Sequence, residues 1–301
     1  MFKEELEEYV RTSNLVNMKE CGDGIYVLKY KKKVFYDSLW NDYIAECRGS
    51  IVDKDFNLVT YPFTKIYNYG IEKEAPVLAD GTRVTAFRKV NGFMIAMTVY
   101  KGELLISTTG STDSPYVAMA KEMMVTHMPL LDWRLTLGGA DCENMTFMFE
   151  CVHPSDPHIV PEKAGMYLLG CRANTWGSKV MHDPFFLQDF ARMLNCYTPE
   201  STTTNMARLS EMAKECKHEG FVFYTDEGVS AKIKSPYYLT SKWVARNPRT
   251  DKLVDMNKDI KHNIDEEYYP LIDAIRANIV EYTAMDEQER LTWVRSYMEG
   301  A

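Results

Sequence analysis

Glu219-Gly220-Phe221-Val222-Phe223-Tyr224-Thr225 and Val229-Ser230-Ala231-Lys232-Ile233-Lys234, joined by Asp226-Glu227-Gly228, form two short β-rich runs around a polar connector. The residue types and the glycine in the connector predict an antiparallel hairpin, with strands over residues 220–225 and 229–234. Lys232 and Lys234 are two positions apart, so both ammonium groups leave one face of the strand while Ile233 points into the core. Paired cations on a rigid strand suit a polyphosphate. They also lower the pKa of any amine held close to them.

Working outward, strands are expected at residues 24–30, at 50–61 with a turn at Asp53-Lys54-Asp55, twice between 84 and 107, at 146–152 and at 165–171. Lys101-Gly102 has the composition of a hairpin turn. A short helix opens the chain. Further helices are expected over 115–127, where Val117, Met119, Ala120, Met123 and Met124 share a face, and over 185–194 and 205–217. Antiparallel strands with inserted helices predict an α+β fold. Pro236, Asn247 and Pro248 interrupt the pattern, so residues 1–242 are expected to form the main domain. Residues 243–301 are expected to form a helical C-terminal region, with Tyr269, Leu271, Ile272, Ile275 and Ile279 as its apolar stripe.

Composition bounds the function. The chain has 301 residues, 46% of them hydrophobic, and a formal net charge of −8. That balance gives no general affinity for nucleic acid, so any basic groove is local. Residues 229–252 hold six Lys or Arg against the single acid Asp251, whereas residues 253–301 hold eleven acids against five Lys or Arg. The seven cysteines are odd in number, scattered and without a C-x-x-C pair, which indicates reduced thiols in a cytoplasmic protein. The acidic start of the chain does not resemble a secretion signal, and no apolar run is long enough for a membrane span. His153 and His158 lack a partner at metal-ligand spacing and read as structural; Lys31-Lys32-Lys33 reads as a solvated turn.

Four further segments carry chemistry. Lys89, in Arg88-Lys89-Val90-Asn91-Gly92, stands where a strand meets a glycine-containing bend, so its amine can project from a rigid edge. A lysine becomes a nucleophile only when deprotonated, which neighbouring cations or burial promote. Glu150 closes an apolar run and Glu219 opens one, and carboxylates at such edges suit ribose hydroxyls or a hydrated Mg²⁺. Arg48, in Glu46-Cys47-Arg48-Gly49, can hold a phosphate or pair with an acid.

Taken together, Arg48-Gly49, Lys89-Val90-Asn91-Gly92, Phe149-Glu150, Glu219 to Val222 and Lys232 to Ser235 resemble, in order and spacing, the covalent nucleotidyltransferase superfamily, and most closely the T4 RNA ligase 1 family. The resemblance covers about residues 40–245 and implies an antiparallel-sheet, ATP-grasp-like ligase domain. It implies an ATP-dependent RNA ligase that joins 5′-phosphate and 3′-hydroxyl RNA ends, with Mg²⁺, through a lysyl-AMP on Lys89 and an adenylylated RNA 5′ end. In that scheme Lys232 and Lys234 act on the α-phosphate, Arg48 and Lys65 hold the outer phosphates, and Arg88, Asn91 and Gly92 complete the ATP site. Glu150 takes the ribose, Glu219 the metal, and Leu169 or Tyr167 the adenine face; Asp265-Glu266-Glu267 is a candidate second metal contact. A monomer binding RNA and no membrane is expected. The motif departs from the commoner K-x-D-G form at Asn91, and the C-terminal region is shorter than that of T4 RNA ligase 1. A DNA ligase, a GTP-using capping enzyme and a catalytically silent nucleic-acid-binding relative are the alternatives.

Overall fold

The computed structural model describes residues 2–128, 144–156, 158–246 and 266–300. Within them the chain is α+β, with twelve strands in three four-stranded antiparallel sheets. Strands β1 (Val16–Glu20), β2 (Ile25–Tyr30), β3 (Arg48–Asp53) and β4 (Leu58–Thr60) form the first sheet in chain order. β5 (Arg83–Arg88) starts the second sheet. β6 (Phe93–Tyr100), β7 (Glu103–Ser107), β8 (Met145–Val152) and β9 (Gly165–Ala173) make the third, in the order β7-β6-β8-β9. The chain then returns to the second sheet with β10 (Ser201–Asn205), β11 (Gly220–Thr225) and β12 (Ser230–Lys234), in the order β10-β5-β11-β12.

Each sheet packs apolar side chains against helices. The third packs Ile95, Met97, Phe147 and Phe149 against Val117 and Met124 of helix Pro115–His127 and Leu187 and Leu194 of helix Pro184–Leu194. The second packs Ala86, Phe223 and Ala231 under Met206 and Leu209 of helix Met206–Glu215. The first closes over helix Phe2–Thr12 through Leu6 and Val10. Among the described residues no helix is long and apolar enough to cross a membrane.

Several elements differ from the sequence expectation for physical reasons. The stretch expected to hold two strands holds three, because Arg83–Arg88 belongs to a different sheet from the Phe93–Tyr100 and Glu103–Ser107 hairpin. Lys101 and Gly102, both at positive φ, make that hairpin's turn. β10 is Ser-Thr-Thr-Thr-Asn, β-branched but without an apolar alternation, and it pairs with the free edge of β5. Lys32–Tyr36 is a short helix where a turn is expected. Pro236 opens a helix, Pro236–Arg246, rather than ending the domain's structure: a proline in a first turn forfeits no helical hydrogen bond, and Ser235 Oγ caps the turn by accepting the Tyr238 N–H at 3.1 Å. This helix runs across the position expected as the domain boundary. Its Tyr237, Tyr238 and Ala245 pack with Ile159 and Leu291, and its Val244 packs with Leu271, Ile272 and Ile275 of the C-terminal helices.

One glycine fixes the geometry of the β11–β12 hairpin. Gly220 has φ +122°, and a β-carbon there would stand 2.8 Å from Lys234 Cα and closer still to the Ile233 carbonyl oxygen. Gly220→Ala is expected to lower the urea midpoint of unfolding by the equivalent of about 1–3 kcal/mol. An unchanged midpoint would show that this close approach is not required.

Candidate active site

The Lys89-to-Gly92 segment carries the chain from the second sheet to the third. The Lys89 N–H donates to the Gly220 carbonyl at 2.8 Å, which ties the segment to the start of β11. At its other end the Gly92 N–H donates to Glu150 Oε1 at 3.1 Å, and a β-carbon at Gly92 would run into the Cys151 carbonyl of β8. Glycine is what lets the segment press against that strand.

Glu219 organises the space between the sheets. Its side chain is 3% exposed, with Oε1 3.0 Å from Lys234 Nζ and Oε2 3.0 Å from Lys89 Nζ. Asn91 Nδ2 donates to the same Oε2 at 2.7 Å, while Asn91 Oδ1 accepts the Val160 N–H at 3.1 Å. The amide thus acts as donor and acceptor at once. An aspartate would lack the donor and would bring a like charge against Glu219, a physical reason for asparagine at this position.

The charge states follow from these contacts. Burial raises the Glu219 pKa, but Lys89 and Lys234 outweigh it and hold the carboxyl at about 2. Glu150, buried beside the same amine, is raised by burial, with Lys89 opposing. Burial likewise lowers Lys89, yet Glu219 and Glu150 together raise it above the ordinary lysine value. The nearby cations therefore do not depress Lys89 as the sequence suggests they would; Glu219 holds it as an ammonium in the resting site. The depressed amine is Lys232, brought to about 7 by burial and then by Lys65, Arg48, Lys234 and Lys89.

Arg48, Arg88, Lys89, Glu150, Leu169 and Lys232 line one pocket, walled by apolar Phe63, Phe87, Val90, Met94 and Val222. Leu169 reaches it because it is the extra residue of a β-bulge: Phe149 pairs with Leu168 and Met148 with Gly170, leaving Leu169 between them. Tyr167 instead packs on Val90, Val152 and Tyr197, with its hydroxyl donating to the Lys163 carbonyl. Lys65 is buried outside the lining set, 2.6 Å from Glu72 Oε1. Asp265, which opens the acidic run suggested as a second metal contact, lies outside the described residues. Cys21, Cys47, Cys151, Cys196 and Cys216 carry free thiols, and Cys142 lies outside the described residues. His158 Nε2 lies 3.0 Å from Asp156 and His153 Nε2 3.4 Å from Glu122.

Other positioning groups carry no motif in the sequence. Glu162 pairs with Arg88 at 2.9 Å and accepts the Asn91 N–H at 3.3 Å. Arg172, 3% exposed, donates to the Pro62 carbonyl at 3.0 Å and to Thr64 Oγ1 at 3.2 Å, fixing the segment that leads to Lys65. An acid or arginine whose partner lies about 70 to 110 positions away has no local sequence signature.

Residues 46–238, which include every segment of this pocket, match the T4 RNA ligase 1 family of RNA ligases. The chain belongs to that family. An RNA ligase of Rhodothermus phage RM378 is 26% identical over 194 residues, 52% of this chain and 42% of that protein, so the chain spans less than half of that relative's length. The fold of this family member is also that of an archaeal ATP-dependent RNA ligase, with TM-score 0.57, 14% identity, and 95% and 77% of the two chains covered. It is shared with a putative ATP-dependent DNA ligase from Aquifex aeolicus, with TM-score 0.54, 16% identity, and 97% and 76% covered.

The Lys232 environment has a measurable signature. Its folded pKa of about 7 lies below the ordinary 10.5, so the unfolded chain binds the proton more tightly between these values and stability rises with pH across that window. Lys232→Met is expected to raise Tm by a few degrees near neutral pH, with the gain shrinking as pH climbs toward the ordinary lysine value. A gain independent of pH would contradict the assignment.

Proposed function

We propose that this chain is an ATP-dependent RNA ligase whose nucleophile is Lys89. The observation that carries the proposal is the shared carboxylate: Glu219 pairs with both the motif lysine, which lines the pocket, and the β12 lysine Lys234. An apolar wall suits a base, and Arg48 and Lys232 offer cations to phosphates.

In the first step the Lys89 Nζ lone pair forms a bond to the α-phosphorus of ATP while the bond to the bridging oxygen breaks and pyrophosphate leaves. Lys89 must lose a proton beforehand. Polyphosphate charge favours the protonated form of Lys232, and a cationic Lys232 and Lys234 beside the α-phosphate favour the neutral form of Lys89. The AMP then passes to a 5′-phosphate of RNA, and a 3′-hydroxyl displaces it to seal the strand. Glu150 is assigned to the ribose, Leu169 to the adenine face, and Arg48 and Lys65 to the outer phosphates. In-line alignment and charge neutralisation dominate such transfers.

Mg²⁺ supplies neutralisation of phosphate charge when bound. Among the described residues no three acidic, His or Cys side chains converge as a cage, and Glu219 and Glu150 are the carboxylates beside Lys89. One or two carboxylates with water and phosphate oxygens fit Mg²⁺ better than a metal that demands a closed site. Glu219 would hold it by exchanging an ammonium contact for the ion.

With Mg²⁺ and ATP labelled at the α-phosphate, the chain is expected to take label that survives denaturing electrophoresis. Lys89→Ala should reduce it to background with folding intact; undiminished label would move the nucleophile elsewhere. Joining of 5′-phosphorylated RNA in preference to DNA of the same sequence is the expected outcome for the polymer, and the reverse preference would favour the DNA ligase alternative.

A further inference from the structure

A second cationic surface lies outside the pocket. Lys31, Lys32 and Lys33 are all exposed at the start of helix Lys32–Tyr36, whose one buried side chain is Val34. Among the described residues none of the three is in an ion pair. Phe35 and Tyr36 follow, 55% and 75% exposed, with ring centroids 5.7 Å apart. Residues 29–40 hold four lysines against the single acid Asp37, in a chain whose net charge is −8. A local excess of cations interleaved with uncovered aromatic rings has no packing role in this fold.

Beyond the patch a row of rings leads to Lys65. Trp40, next along the chain, lies 4.7 Å from the Tyr30 ring and 6.1 Å from the Tyr67 ring. Lys65 Nζ stands 4.9 Å over Trp40 and 4.6 Å over Tyr67, and Lys65 is the charge that most strongly acts on Lys232. Rings and ammonium groups thus run from Tyr30 and Trp40 to Lys65, whose charge acts on Lys232 of the pocket.

We propose that Lys31, Lys32, Lys33, Phe35 and Tyr36 form the docking surface for a single-stranded RNA whose end enters the pocket, an inference that rests on the ligase function proposed above. Phosphates take the lysines, and unpaired bases stack on the two rings, since every base presents a π face. Single-stranded nucleic acid is the polyanion that both chemistries fit at once; duplex keeps its bases stacked on one another, and an acidic peptide supplies no planar faces.

The test uses the full chain and a 5′-phosphorylated, 3′-fluorescent oligoribonucleotide of about 12 nucleotides, read by anisotropy. Phe35→Ala/Tyr36→Ala is expected to weaken binding about tenfold or more while self-labelling with ATP is unchanged. Lys31→Ala/Lys32→Ala/Lys33→Ala is expected to flatten the slope of log affinity against log salt by about 2. RNA binding with the same affinity and salt slope in both folded variants would overturn the docking surface even if the wild type takes label. Loss of self-labelling together with RNA binding would also overturn it, assigning the patch to the nucleotide site. Anisotropy needs no label transfer, so a wild-type chain that takes no AMP fails the ligase function separately.

Discussion

The carboxylate of Glu219 is where the second and third sheets become one site. It comes from the edge of β11 and takes Lys234 from the adjacent strand β12 on one oxygen. The other oxygen takes Lys89 and Asn91 from the segment that crosses between the sheets. A buried carboxylate is costly unless fully partnered, and removing one member of such a set leaves an uncompensated charge worth about 3–5 kcal/mol. The hairpin, the crossing segment and the pocket therefore stand or fall together. Gly220 and Gly92 matter for the same reason, since each lets a backbone approach the strand that carries a partner.

That arrangement also sets the resting chemistry. Two lysines share the site with opposite electrostatic fates: Lys89, between Glu219 and Glu150, keeps its proton, whereas Lys232, crowded by Lys65, Arg48, Lys234 and Lys89, is poised to lose one near neutrality. A bound polyanion would offset the field that depresses Lys232 and restore its proton. The charge on each amine is thus set by ordinary pairing rather than by a moving part.

Much of this was legible in the sequence. The hairpin of residues 220–234 and the helix of residues 115–127 follow from patterning that local residues decide, and the structure has both at those positions. The α+β class and the family follow from the order of motifs. What could not be read depends on distant partners. β10 is a strand because β5 has a free edge, not because Ser-Thr-Thr-Thr-Asn alternates. Leu169 rather than Tyr167 faces the pocket because a bulge re-aims one side chain, an event set by pairing with β8. The charge on Lys89 is not legible in the sequence, where the paired cations Lys232 and Lys234 point to a depressed amine. Only the fold reveals that two carboxylates reach it first while the cations crowd Lys232 instead.

The most direct test of this account is a pH titration of the lysine side chains by lysine-selective NMR, with Lys89→Arg and Lys232→Arg used to assign the two signals. Lys232 is expected to lose its proton near pH 7 while Lys89 remains an ammonium beyond the ordinary lysine value. A Lys89 signal that titrates at or below that of Lys232 would contradict the claim that Glu219 holds Lys89 charged.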